Sequence, residues 1–186
     1  EIAEELGALR RTRSLAFCAA YCAGFENAAT FSAQYLLEGC EDLFEGAEPN
    51  GANLILWHVA EEFEHRSVCH DAFQAMSGSY FLRIWGLLYA FWHINYSFSR
   101  CRKVILQTFR AGMNAAERNA SERRHRKVMM RQALYMLPRV LMLFSPFFHP
   151  SRLKVTRRVG RALELFSRAS PVIGTHYDED REPAPG

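Results

Sequence analysis

The residues best suited to chemistry crowd into one short segment, Trp57-His58-Val59-Ala60-Glu61-Glu62-Phe63-Glu64-His65. On an α-helix, residues three and four apart share a face, which puts His58, Glu62 and His65 on one stripe across two turns. Leu54 on one side and Val68 or Cys69 on the other extend that stripe with apolar residues. Burying a carboxylate and two imidazoles among apolar groups is costly unless each finds a partner. A divalent cation satisfies all three, and carboxylate with imidazole is a donor set that iron, manganese and zinc accept.

Glu62-x-x-His65 also has the spacing of the Glu-x-x-His element that two-metal carboxylate bundles carry, usually with a lone Glu facing inward from the preceding helix. Glu26 fits the second role, since Cys22, Phe25, Ala29 and Thr30 surround it and few charges lie nearby. The plain alternative is a solvated helix face, with Glu61, Glu64 and Arg66 in water and His65 paired to Glu61 or Glu62. A second match, Glu122-x-x-His125, is set aside. Arg118, Arg123, Arg124, Arg126 and Lys127 flank it, and their field opposes binding of a cation. Nucleic acid is not expected on that basic face either, because no aromatics interleave with the arginines.

The elements that must position these residues read as helices, with little strand signal. One long helix is expected over residues 3–45, weakly broken at Gly24, and a loop over 45–53 around Gly46, Pro49 and Gly51. A second helix is expected over 53–76, capped by Asn53 or Asn50 and ended by Ser77, Gly78 and Ser79. A third covers 80–113. Its very apolar first half, 80–98, carries Arg83, His93, Asn95 and Ser97, which argue against a membrane span. It reads as a central helix buried on most faces, with docking onto a membrane or a lipid-like substrate as the rival. Residues 114–135 read as an exposed basic helix. Pro138, Pro146 and Pro150 punctuate an apolar stretch over 134–148 that wraps the bundle or forms a lid. A basic amphipathic helix follows over 151–170.

The 186 residues suit one domain, taken as 1–176, with 177–186 a disordered acidic tail. The net charge of +3 is too mild to imply a polyanionic partner. Cys18, Cys22, Cys40, Cys69 and Cys101 form no CxxC pair and read as reduced thiols in a cytoplasmic protein. The chain opens at Glu1 without an initiator Met or a signal-like segment. No nucleophile motif, phosphate loop or HExxH is present, and no flavin or nicotinamide motif either.

His58-Val-Ala-Glu61-Glu62-Phe-Glu64-His65, followed by Arg66-Ser67-Val68-Cys69-His70-Asp71, resembles the signature of a bacterial family described as "predicted metal-dependent hydrolase". Glu26 one helix upstream, Arg83, and Phe148-His149-Pro150 are similar to further features of that family, so the resemblance covers residues 3–150. It implies an all-α, ferritin-like helical bundle with additional C-terminal helices. For some relatives it implies non-haem di-iron monooxygenase activity. Carried over residue by residue, Glu26, Glu62 and His65 would be metal ligands, with His58 a ligand or close to one. Glu61 would orient a histidine from behind, and Asp71 would act in the same way.

The expected reaction is then O2-dependent hydroxylation of an apolar small molecule by two iron ions, fed by an external electron donor. Manganese or zinc are the alternative metals. A two-metal hydrolase is the alternative activity, and a non-enzymatic helical interaction module or membrane-associated module the third reading. A homodimer is the other partner considered, with membrane contact the minor option. The sequence departs from the family pattern at Asn27, where a His is frequent. It also lacks the Pro-x-Gly-Glu and Gln-Glu-x-x-His-x-x-x-His elements of the family's first two helices. The chain therefore reads as the C-terminal part of a bundle, with the N-terminal helices absent and activity on its own not expected.

Overall fold

A computed structural model of the chain describes residues 2–167, and every regular element among them is helical. The order is α1 (Ile2–Thr12), α2 (Leu15–Gly39), the single turn α3 (Glu41–Phe44), α4 (Pro49–Glu64), α5 (Val68–Met76), α6 (Tyr80–Arg110), α7 (Ala115–Leu143), a 3-10 turn (Pro150–Arg152) and α8 (Arg157–Ser167). The all-α expectation holds. Residues 177–186, read as a disordered tail, lie outside the described residues.

The helices α1, α4, α5, α6, α7 and α8 all pack against α2, which is the axis of the fold. Its composition explains the role: α2 is rich in small and aromatic residues, and it buries Ala20, Tyr21, Ala23, Gly24, Phe31 and Ala33 among others. The closest crossing is with α6. A Cβ on Gly24 would lie 2.6 Å from the Leu87 Cα, and one on Gly86 would lie 2.5 Å from the Ala20 carbonyl carbon. Only glycine lets the two backbones approach so closely. At the far end of α2, α8 closes over α4, burying Val159 and Ala162 against Leu37, Leu56 and Phe63. The Glu38 carboxylate holds this end together by accepting hydrogen bonds from the Tyr135 hydroxyl at 2.8 Å and the Thr156 hydroxyl at 2.6 Å.

Several element expectations are corrected. The first helix is interrupted not at Gly24 but at Arg13 and Ser14, where the Ser14 hydroxyl accepts from the Phe17 N–H and starts α2. Gly24 serves packing instead. The second helix begins earlier than expected, because Glu48 rather than an asparagine caps it. It also breaks between Glu64 and Val68, giving α4 and α5. Pro138 does not end α7, which runs on to Leu143. The carbonyl that a proline leaves without its helical partner belongs to Leu134, and Leu134 is exposed, so water can reach it.

The largest correction concerns α6, expected to be buried on most faces. Its buried residues are Arg83, Gly86, Leu87, Ala90, His93 and Ser97. Phe81 is 83% exposed and Trp92 61% exposed, and Trp85, Tyr96 and Phe98 are exposed as well. Close approach to α2 selects the small residues, and the buried polar groups find partners. The Arg83 Nη2 donates to the Ser145 carbonyl at 2.6 Å. The His93 ring lies 2.8 Å from the Tyr21 hydroxyl and 3.1 Å from Glu5. No helix among the described residues is long and apolar enough to cross a membrane.

Candidate metal centre

Glu26 sits in the middle of α2 and is 8% exposed. Its Oε2 accepts from the Cys69 N–H at 2.9 Å, in the first turn of α5, where helix N–H groups lack intrahelical partners and favour a negative charge. Ser67, the residue preceding that helix, makes no side-chain cap of its own. Burial pushes the Glu26 carboxyl above its usual range. The Cys69 hydrogen bonds oppose that shift, Glu62 adds to it, and His65 opposes it. Glu62 of α4 and His65 of the α4–α5 break therefore lie within electrostatic reach of Glu26 on α2.

The stripe on α4 is real in angle but not in burial. The face of α4 that packs inward is Asn53, Leu56, Val59, Ala60 and Phe63. His58, Glu62 and His65 lie beside it. The His58 Nε2 is 3.7 Å from the Glu62 Oε1, with side-chain exposures of 64% and 34%. His65 is exposed and forms the C-terminal cap of α4, its N–H donating to the Glu61 carbonyl at 3.0 Å. Leu54 and Val68, expected to bury the stripe, are exposed. The reason is local: α4 stops at Glu64, so the turn through residues 65–67 carries His65 out of the packed face.

Glu61 is half-buried on α4. Asp71 is exposed on α5 and is engaged elsewhere, with its Oδ1 3.0 Å from the His149 Nε2. His149 lies in the loop after α7. There its Nδ1 accepts from the Ser151 N–H at 3.3 Å and lies 2.7 Å from the Ser151 Oγ. Sequence reasoning passed over His70 beside it. His70 is fully buried, its ring centroid 4.8 Å from that of His149, and its Nδ1 has no hydrogen-bond partner. Burial first, then the charges of His149 and Arg83, hold its pKa down to about 4, so it is neutral. The dipeptide His70-Asp71 was visible, but its link to His149 depends on a return of the chain that no spacing reveals.

The donors fit a divalent ion in kind. Carboxylates and imidazoles are what such ions take, and the buried Glu26 carboxylate is a group that a cation would relieve. The nearby thiols are poor donors, because burial and then the Glu26 charge push Cys69 up to about 12 and so keep it protonated. Among the described residues, no three His, Cys, Asp or Glu side chains close on one ion. All five cysteines are free.

The described chain is all-helical, with the buried Glu26 of α2 close to the α4–α5 junction. Residues 1–154 match the family model described as predicted metal-dependent hydrolase, and the chain belongs to that family. No curated protein and no solved structure matches it. The family corrects the expected activity. The principal expectation, an O2-dependent di-iron hydroxylase, gives way to the hydrolase reading held as its alternative. Hydrolysis transfers no electrons, so that reading calls for no external electron donor.

Proposed function

We propose that the chain is a metal-dependent hydrolase whose ion is held by Glu26, Glu62 and His65, with His58 as a further ligand or close neighbour. The observation that carries this reading is the match of residues 1–154 to a metal-dependent hydrolase family, and the buried Glu26 carboxylate, which feels the charges of Glu62 and His65, supports the choice of ligands. Zinc or manganese suits the mixed nitrogen and oxygen donors and the redox-neutral reaction. Bound there, such an ion would supply Lewis acidity, activating water and polarising the oxygen of the scissile ester or phosphoryl group.

The residues of the chain have separable tasks in this reading. The Cys69 N–H fixes one oxygen of Glu26, which orients the carboxylate that would bind the ion. His58, 3.7 Å from Glu62, steers that carboxylate. Glu61 orients a histidine from behind, and Asp71 positions His149. The five free thiols suit a reducing, cytoplasmic setting.

The test is metal content after loading with zinc or manganese, measured by mass spectrometry on the unaltered protein, Glu26→Gln and His65→Ala. The glutamine still accepts from Cys69, so the start of α5 is preserved while the ligand charge is lost. Both variants are expected to lose more than about 100-fold in metal affinity, beyond the effect of an outer-shell change, with helix content unchanged by circular dichroism. Full metal retention in either variant would refute that ligand assignment.

A further inference from the structure

A second charged feature lies on the other limb of the molecule, between the C-terminal half of α6 and the N-terminal half of α7. There a groove of about 440 Å³ is lined by Arg102, Lys103, Arg110 and Arg118, with Leu106 as an apolar wall and Glu122 as the one acidic residue. The excess of positive charge begins in the sequence, because α6 carries five Arg or Lys and no Asp or Glu over 31 residues.

Arg110 is the centre of the groove. Its side chain is 15% exposed and stands 3.9 Å from Glu122, too far for a tight ion pair. Its Nε donates to the Ser121 Oγ at 3.1 Å, which orients the guanidinium. Its Nη2 is buried and has no hydrogen-bond partner. A buried guanidinium N–H left without an acceptor is costly, and four cations sharing one groove repel one another. One ligand type removes both penalties: an anion with several acceptor oxygens, to which guanidinium groups bind in bidentate fashion. The same field explains why Glu122-x-x-His125 is no cation site. Burial first, then Arg102 and Arg110, depress the pKa of His125, and a field that disfavours a proton there disfavours a metal ion and favours an anion.

We propose that this groove binds the phosphate group of a small phosphorylated molecule, with Arg110 as the anchoring donor and Arg102, Lys103 and Arg118 supplying the field. The volume suits a ligand of that size, and Leu106 gives its organic part an apolar contact. A nucleic-acid backbone is the less suitable occupant. The exposed aromatics of α6 lie mainly in its N-terminal half, on the far side of Ser99, so stacking platforms do not alternate with the cations as base binding requires.

The test titrates the whole chain with inorganic pyrophosphate and with phenyl phosphate, followed by calorimetry, using Arg110→Gln and the exposed Lys103→Gln. Saturable binding is expected. Arg110→Gln should weaken it by about tenfold, the size of one charge-assisted hydrogen bond, and Lys103→Gln by less, through the field alone. Glu26→Gln should leave it unchanged, which separates this site from the metal centre. No saturable binding at millimolar ligand would overturn the proposal, as would binding that neither variant weakens. Tight binding of single-stranded oligonucleotide without binding of either small phosphate would overturn it in favour of a nucleic-acid surface.

Discussion

Replacing Gly86 by alanine tests the packing of the whole fold at one methyl group. In an isolated helix the change is favourable by about 1 kcal/mol, because alanine has the higher helix propensity. In this chain the new Cβ would lie 2.5 Å from the Ala20 carbonyl carbon and 2.6 Å from the Ala20 Cβ. An ordinary carbon–carbon contact needs about 3.5–4.0 Å, so α2 and α6 must separate by about 1 Å. The atoms in the way are backbone and a Cβ, which have no rotamer to retreat into. Overpacking of this kind costs about 1–3 kcal/mol, rising when backbone must move, and it acts on the most extensive helix–helix contact in the molecule. Because backbone must move here the upper end applies, about 3 kcal/mol, and the net expectation is a loss of about 2 kcal/mol after the propensity gain, read as a lower midpoint in urea with an unchanged slope. Gly24→Ala should behave alike, and the double variant should cost less than the sum, since both glycines serve one crossing. A midpoint that stays or rises in Gly86→Ala would refute the close crossing.

Two further outcomes are expected. His70 is neutral in the fold at a pKa of about 4 against an ordinary 6.5. The unfolded chain binds the extra proton between those values, so this contribution to stability is complete above 6.5 and lost as pH falls toward 4. It amounts to at most about 3 kcal/mol, and the difference in urea midpoint between pH 7 and pH 5 should shrink in His70→Phe. An undiminished difference would show that His70 is not the group responsible. Arg83→Met should cost about 1–3 kcal/mol by leaving the Ser145 carbonyl without its donor. It should also speed proteolytic cleavage in the loop after α7, and an unchanged cleavage pattern would argue that Arg83 does not tether that loop.

How far the molecule was legible in its sequence differs from element to element. The helical class and the locations of α6 and α7 followed from periodicity and length. The break before α2 was signalled by Ser14 standing ahead of Leu15, a capping residue that the apolar run behind it obscured. The orientation of α6 was not legible, because hydrophobicity reports what could be buried and not which face meets a neighbour. Close approach selected Gly86 and Ala90 for that face and left Trp85 and Trp92 outside. For the proposed metal site, residue types and spacing nominated Glu26, Glu62 and His65, and among the described residues no three such side chains close on one ion. The end of α4 at Glu64, which sets the exposure of His65, depended on where a turn fell. The groove around Arg110 was read as solvated charge, since only the antiparallel return of α7 brings Arg118 opposite Arg102.

The central position of α2 also bears on how the chain opens and closes. Nearly every other helix has α2 as its main neighbour, so no large subset of elements retains a core once α2 leaves. Its mid-helix amides, from Ala20 to Phe31, should exchange with solvent only when the entire chain unfolds. The amides of α8, which rests mainly on α4 and the end of α2, should exchange through smaller, independent openings. Hydrogen-exchange protection would then be graded outward from one helix, making α2 both the slowest-exchanging segment and the part on which cooperative unfolding depends.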